Sequence, residues 1–172
     1  MTRLILLRHA KSSWSDPALP DHDRPLNARG RHAAKQMADA LIKRNYLPDA
    51  IVCSTALRAR KTLAPLLQLL DGTVHLTITR ALYDAQAEHF PKIIAAAAHK
   101  AGTPKTMLLI GHNFAIQDAA LFFTENDETN NFKALKNKFP SGAAAVLGFE
   151  TNLTEVSANS ARLVDYLRPR DL

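Results

Sequence analysis

Three short apolar runs, each followed at once by polar residues, organise this chain: Leu4-Ile5-Leu6-Leu7 before Arg8-His9, Ala50-Ile51-Val52-Cys53 before Ser54, and Met107-Leu108-Leu109-Ile110 before Gly111-His112-Asn113. Such short, continuous apolar runs predict buried strands of a parallel sheet. Between them the apolar positions take helical spacing. Asn27 is predicted to cap a helix reaching about Arg44, with Ala34, Met37, Ala38, Leu41 and Ile42 on its buried face. Ser54 or Thr55 is predicted to cap a second helix through about Leu70, kinked or restarted at Pro65 because the ring removes a donor. A strand near His75 to Thr79, a helix over Ala85 to Lys100, a strand over Thr106 to Gly111 and a helix over Asn113 to Phe123 follow. Ala143 to Phe149 and Ala161 to Leu167 are two further strands, expected at an edge of the sheet. The alternation predicts a single α/β domain over residues 1–172, with a mostly parallel central sheet flanked by helices in three layers.

Two segments break the pattern. Lys11 to Pro25 is polar, carries Pro17, Pro20 and Pro25, and contains Asp21-His22-Asp23, so it reads as a long loop over a site at the first strand's carboxyl end. Glu125 to Lys138 is strongly polar and reads as an exposed excursion with no recognisable chemistry.

Composition narrows the class. A length of 172 residues with 47% hydrophobic residues suits one core. No run approaches the roughly 18 consecutive apolar residues of a spanning helix, and the first run is too short for a signal peptide, so a soluble, cytoplasmic protein that meets no membrane is expected. The lone Cys53, inside a strand pattern, reads as a buried inert thiol. A formal charge of +6 favours anionic partners. The basic residues are scattered with little aromatic interleaving, which argues against a nucleic-acid surface.

The carboxyl ends of neighbouring strands in an open α/β sheet share one crevice. Arg8, His9, Arg58 and His112 are therefore expected to converge there. Two guanidiniums offer planar bidentate donors suited to phosphoryl oxygens, which makes Arg8 and Arg58 the natural clamp. A neutral imidazole whose other nitrogen is held as a donor can attack phosphorus, and His9 is the candidate nucleophile. His112, if protonated, adds a donor, and the helix amino termini after Ser54 and His112 add partial positive charge.

Taken singly these residues mean little, since Arg8 could cap a strand end and His9 could be a core histidine. Their adjacency and the two matching strand ends favour function. Arg60 lies about 200° around a helix from Arg58 and is expected in solvent. Asn113 reads as a helix cap, and His22 as a polar loop residue, because metal-type ligand spacing is missing around it. His32, His75, His89 and His99 lack supporting context. Trp14 and Tyr83 fit packing or a pocket wall equally well.

With these residues in hand, the chain resembles the histidine phosphatase superfamily, of phosphoglycerate-mutase-like fold. Leu7-Arg8-His9-Ala10 matches the family's Arg-His-Gly, with alanine in place of glycine. Ser54, Arg58, Ala59 and Thr62 match its Ser-Pro-x-x-Arg-Ala-x-x-Thr, and Gly111-His112-Asn113 its third motif. Lys11-Ser12, Asp21 to Asn27, Arg29-Gly30 and Phe139-Pro140-Ser141-Gly142 are similar to the small SixA-type phosphohistidine phosphatases. The resemblance implies a hydrolase in which His9 accepts the phosphoryl group, Arg8, Arg58 and His112 hold it, and neither metal nor organic cofactor takes part. It implies a phosphorylated partner, either a phosphohistidine carrier protein or a small phosphorylated molecule. Two departures stand out: the mutases' phosphate-binding Asn aligns with Ser15, and their general-acid Glu falls in Leu82-Tyr83-Asp84, making Asp84 the candidate acid. An imidazole leaves phosphorus with less help than an alkoxide does, so the missing Glu favours a phosphohistidine substrate over a metabolite.

Overall fold

The computed structural model describes Met1–Leu172. Its strands are β1 (Thr2–Arg8), β2 (Ala50–Ser54), β3 (His75–Thr79), β4 (Thr106–Gly111), β5 (Ala144–Phe149) and β6 (Ala161–Leu167). They form one sheet in the order β3-β2-β4-β1-β5-β6. The first four strands in sequence run parallel, whereas β5 is antiparallel to β1 and β6 antiparallel to β5. The sheet is thus α/β and mostly parallel. Of the two strands expected at an edge, only β6 lies there, because β5 pairs along almost the whole of β1.

The helices are α1 (Ala28–Lys43), α2 (Leu57–Leu69), α3 (Phe90–Lys100), α4 (Ala115–Phe123) and α5 (Asn130–Asn137). They cover both faces of the sheet. Ile5 and Leu7 of β1 pack with Met37 and Leu41 of α1 and Leu63 and Leu66 of α2. Leu4 and Leu6 point the other way, into a cluster with Phe90, Ile94, Ile116, Phe123 and Phe132 of the remaining helices. Every residue from Leu4 to Leu7 is buried, which explains why the run is continuously apolar rather than alternating. Full burial of each such side chain contributes about 2 kcal/mol.

Several local expectations are corrected. The segment 125–138 holds α5, capped by the Thr129 hydroxyl, with Phe132 and Leu135 buried. Its composition hid one narrow apolar stripe on an otherwise polar helix. The helix expected from Ala85 begins as a separate 3-10 turn, Ala87–His89, and only then becomes α3. Pro65 does not interrupt α2, which is continuous through it. Neither Ser54 nor Thr55 caps α2 and Asn113 does not cap α4, for those helices start after Ala56 and Phe114 with no side-chain cap. Asn27 does cap α1, accepting from the Gly30 amide at 2.8 Å.

Strand register decides what meets at the sheet's end. Arg8 stands beside Gly111, Cys53 beside Ile110, and Ser54 beside Thr79. His9, Ser54 and His112 therefore leave the sheet at one level. Antiparallel β5 brings a fourth segment to the same place, where the Gly142 amide faces the carbonyls of both Arg8 and His9 at 3.1 Å. Gly142 does this at φ +79°, a conformation that side chains resist. No helix is long and apolar enough to cross a membrane.

Candidate active site

His9 is 9% exposed, and its Nδ1 lies 2.7 Å from the carbonyl oxygen of Ala10. A carbonyl only accepts, so Nδ1 carries the proton. Nε2 is then an open lone pair, and Arg58 Nε donates to it at 3.3 Å. Burial, helped by the charges of His112, Arg58 and Arg8, lowers the His9 pKa to about 3 against the pull of the Ala10 hydrogen bond. The ring is neutral at physiological pH, as a nucleophile requires.

The turn that carries His9 is tied to α2. Thr62 Oγ1 donates to the carbonyl of Arg58 at 2.7 Å and accepts from the Ala10 amide at 2.9 Å. One hydroxyl thus fixes the backbone of the His9 turn against the backbone of Arg58, which gives the Arg58-x-x-x-Thr62 spacing a physical reason. On the other side α1 approaches so closely that a Cβ on Gly30 would stand 2.1 Å from the Lys11 carbonyl oxygen.

Arg58 is 7% exposed. Its Nη1 donates to the Asp21 carbonyl at 2.6 Å, and its Nη2 to Asp21 Oδ2 at 2.9 Å. Nη2 also approaches His112 Nδ1 at 3.4 Å. Arginine can only donate, so Nδ1 of His112 accepts and Nε2–H donates to Ser54 Oγ at 2.8 Å. Burial first and the Arg58 charge second lower the His112 pKa to about 4, so the protein without ligand holds His112 neutral rather than protonated. The His9 and His112 rings lie 5.1 Å apart between centroids. Arg8 sends Nη1 to the Phe139 carbonyl at 2.8 Å and leaves a buried Nε without a partner. Burial lowers its pKa as well.

The four expected residues do converge. Two others do not join them. Ser15 pairs with Ser13 through their hydroxyls at 2.8 Å on the exposed loop, and its neighbour Trp14 lines the site cavity instead. Asp84 pairs with Arg80 at 3.2 Å and lines a separate cavity of about 530 Å³ beside β3 and α3. The loop turns between adjacent residues there, so Tyr83 enters the site and Asp84 points away from it. Tyr83 stands edge-on to His112 with centroids 5.4 Å apart, and its hydroxyl donates to Asp21 Oδ2 at 2.9 Å. Arg60 is exposed and donates to the Thr55 carbonyl, while His22 bonds Thr55 Oγ1 at 2.9 Å as a loop residue. Cys53 is buried, which pushes its thiol up to about 12 and makes it inert.

The carboxylate at the site is Asp21. Nothing in its spacing pointed there, since the contact spans 37 positions from Arg58 and 62 from Tyr83. Burial raises the Asp21 pKa, but the hydrogen bonds from Arg58 and Tyr83 and the charges of Arg58 and Arg24 outweigh it, and the group is held below the usual carboxylate range. Arg24 anchors this loop by donating Nε and Nη2 to the Ser13 carbonyl at 3.0 and 2.7 Å, with Trp14 stacked on its guanidinium. A cavity of about 310 Å³ opens over Arg8, His9, Arg58 and Asp21. A second of about 350 Å³ lies over Tyr83, His112 and Phe114. The arrangement offers one neutral imidazole nucleophile and two fixed guanidiniums, the means of transferring a phosphoryl group to nitrogen.

Comparison with known proteins bears on the same residues. Positions 4–101 match the histidine phosphatase superfamily (branch 1). An uncharacterised chloroplast protein of Arabidopsis thaliana is 40% identical over 69% of this chain, a span covering 57% of the plant protein. An uncharacterised protein of Mycobacterium tuberculosis is 33% identical over 95% of this chain and 100% of its own length. Among solved structures, a proposed SixA phosphohistidine phosphatase from Agrobacterium tumefaciens shares 32% identity at TM-score 0.77, covering 98% of this chain and 99% of its own. Its counterpart from Nakamurella shares 26% identity at TM-score 0.84, over 98% of this chain and 96% of its own.

Proposed function

Because the chain belongs to the histidine phosphatase superfamily, we propose that it is a metal-independent phosphatase that works through a phosphohistidine at His9 and acts on protein phosphohistidine. The observation that carries this reading is the His9 ring, proton on Nδ1 against Ala10 and lone pair on Nε2 beside Arg58.

In the first half-reaction Nε2 attacks phosphorus, the bond from phosphorus to the substrate nitrogen breaks, and that nitrogen keeps its electron pair. The ring of phosphorylated His9, still protonated on Nδ1, carries a positive charge that the Ala10 carbonyl stabilises. Arg8 and Arg58 face the charge spread over the equatorial oxygens. His112 is neutral in the free site, and the dianion's arrival favours its protonated form, making it a further donor. Water then attacks phosphorus, inorganic phosphate leaves, and Nε2 recovers its lone pair.

Two features support phosphohistidine as the substrate. Asp21 is held ionised and Asp84 is turned away, so the site lacks a protonated carboxyl to serve an alkoxide, while a protonated phosphoimidazole leaves as neutral imidazole. The rim carries Trp14 and Phe114, 78% and 76% exposed, one beside each cavity, as suits contact with a protein surface. The SixA relatives, themselves proposed to be phosphohistidine phosphatases, support the same reading.

The test compares turnover of a phosphohistidine-bearing carrier domain with a panel of sugar and hydroxy-acid phosphates, and traps the labelled intermediate. Preference for the carrier and an acid-labile, base-stable label lost in His9→Ala are expected. Preference for one metabolite ester would overturn the substrate, and a label surviving in His9→Ala would overturn the nucleophile.

A further inference from the structure

Trp14 is supported on one face and bare on the other. The guanidinium carbon of Arg24 stands 3.0 Å from the centre of its ring. Arg24 is itself fixed, being 6% exposed and donating Nε and Nη2 to the Ser13 carbonyl. The indole is 78% exposed all the same, so its second face is left to solvent. A large aromatic ring is stabilised chiefly by burial, and here a ring that is already ordered forgoes it. Trp14 borders the cavity of about 310 Å³ over Arg8, His9 and Arg58, where it is the one aromatic side chain apart from His9. Phe114, the other exposed aromatic of the rim, borders the separate cavity over Tyr83 and His112.

Resting on the phosphatase reading above, we propose that Trp14 is a specificity-determining residue that stacks the departing ring of the substrate on its uncovered face, so that the site selects planar heteroaromatic leaving groups of the imidazole kind. His9 is 9% exposed and Trp14 78%, which puts the nucleophile deep and the indole at the mouth of one cavity. In-line transfer to Nε2 places the leaving nitrogen on the far side of phosphorus from His9, toward that mouth. Lys11, Ser12 and Ser141, which also border the cavity, offer the ring no flat surface. Stacking asks nothing of the leaving group's charge, so it persists as the protonated phosphoimidazole becomes neutral imidazole. No bond to phosphorus is made or broken by Trp14. Arg24 is the support behind the indole, and a ring held in place before the substrate arrives loses little rotamer freedom when it is covered.

Two substrates isolate the ring: free phosphohistidine and phosphoramidate share a phosphorus–nitrogen bond, and only the first carries an imidazole. Trp14→Ala should raise the KM of phosphohistidine roughly three- to tenfold more than that of phosphoramidate, and Trp14→Phe should recover most of the difference. Equal effects on the two substrates would overturn the proposal, since Trp14 would then act only through Arg24 and its loop, and so would a difference that Trp14→Phe leaves in place. A binding measurement on the unaltered protein covers the case in which the variants do not fold. Trp14 is the chain's one tryptophan, so its emission reports directly on what lies against it. A triazole-bearing phosphonate, which does not hydrolyse, should bind at least threefold more tightly than methylphosphonate and should alter that emission more strongly. Equal affinity and equal emission change would overturn the proposal. A wild-type protein that bound neither phosphonate and hydrolysed neither substrate would defeat the phosphatase reading itself, an outcome distinct from equal handling of the two.

Discussion

Arg58 Nε and His9 Nε2 lie 3.3 Å apart, a donor facing an unprotonated nitrogen across 49 positions of sequence. The Ala10 carbonyl holds the proton on Nδ1, and the guanidinium faces the nitrogen left free. Arg58 and His9 are thus positioned by one another before any ligand arrives.

His9→Asn removes the nucleophile and keeps a polar group of similar reach. Turnover of a phosphohistidine substrate should fall by about a thousandfold or more, with unfolding midpoint little changed. Steady-state kinetics and thermal unfolding of the same preparation check both halves.

Arg58→Lys keeps the charge but loses the planar fork that engages His9, Asp21 and His112 together. Vanadate should bind roughly ten- to a hundredfold more weakly. Titration against activity gives the number, and wild-type affinity would remove Arg58 from the clamp.

The lowered histidine pKa values make a stability prediction. His9 and His112 titrate near 3 and 4 in the folded chain. An unfolded imidazole titrates near 6.5, so between these values the unfolded state binds more protons and stability falls as pH falls. Each ring adds a slope of up to about 1.4 kcal/mol per pH unit below 6.5, and adds none above it. Urea unfolding at pH 7.5, 6 and 5 measures the loss, and His9→Asn should reduce the slope. Ring resonances of His9 that titrate near 6.5 would contradict it.

Gly30→Ala places a Cβ against the Lys11 carbonyl, where backbone meets backbone and neither can yield by rotating a side chain. A loss of about 1 to 3 kcal/mol is expected, together with weaker turnover because the loop carrying Trp14 and Asp21 shifts. Denaturant unfolding and kinetics report the two effects.

Asp84→Ala should change kcat/KM by less than about twofold, since the carboxylate is exposed and paired only with Arg80. A large loss in kinetics on the carrier substrate would return Asp84 to the chemistry.

The strands were legible because a run such as Leu4 to Leu7 is apolar on both faces only when helices cover both. Arg8, His9, Arg58 and His112 were legible for a related reason: each follows a strand at a short, fixed distance, and parallel strands deliver their carboxyl ends to one crevice. The segment holding α5 was misread because Phe132 and Leu135 are few among charged neighbours, and only packing against the core selects the helix. Asp84 and Ser15 were misplaced for a different reason. Alignment locates a residue along the chain, and the direction of its side chain depends on a loop turning by a single residue.

What the amino-acid order alone determined, then, is the sheet and the meeting of Arg8, His9, Arg58 and His112 at its end, because these depend on periodicity and on offsets from strand ends. The tertiary structure decided the rest: that Asp21 and not Asp84 is the carboxylate in the site, that Tyr83 closes over His112, and that both imidazoles are neutral. Those facts arise from contacts between loops far apart in sequence and from desolvation, and neither leaves a period or a spacing in the chain.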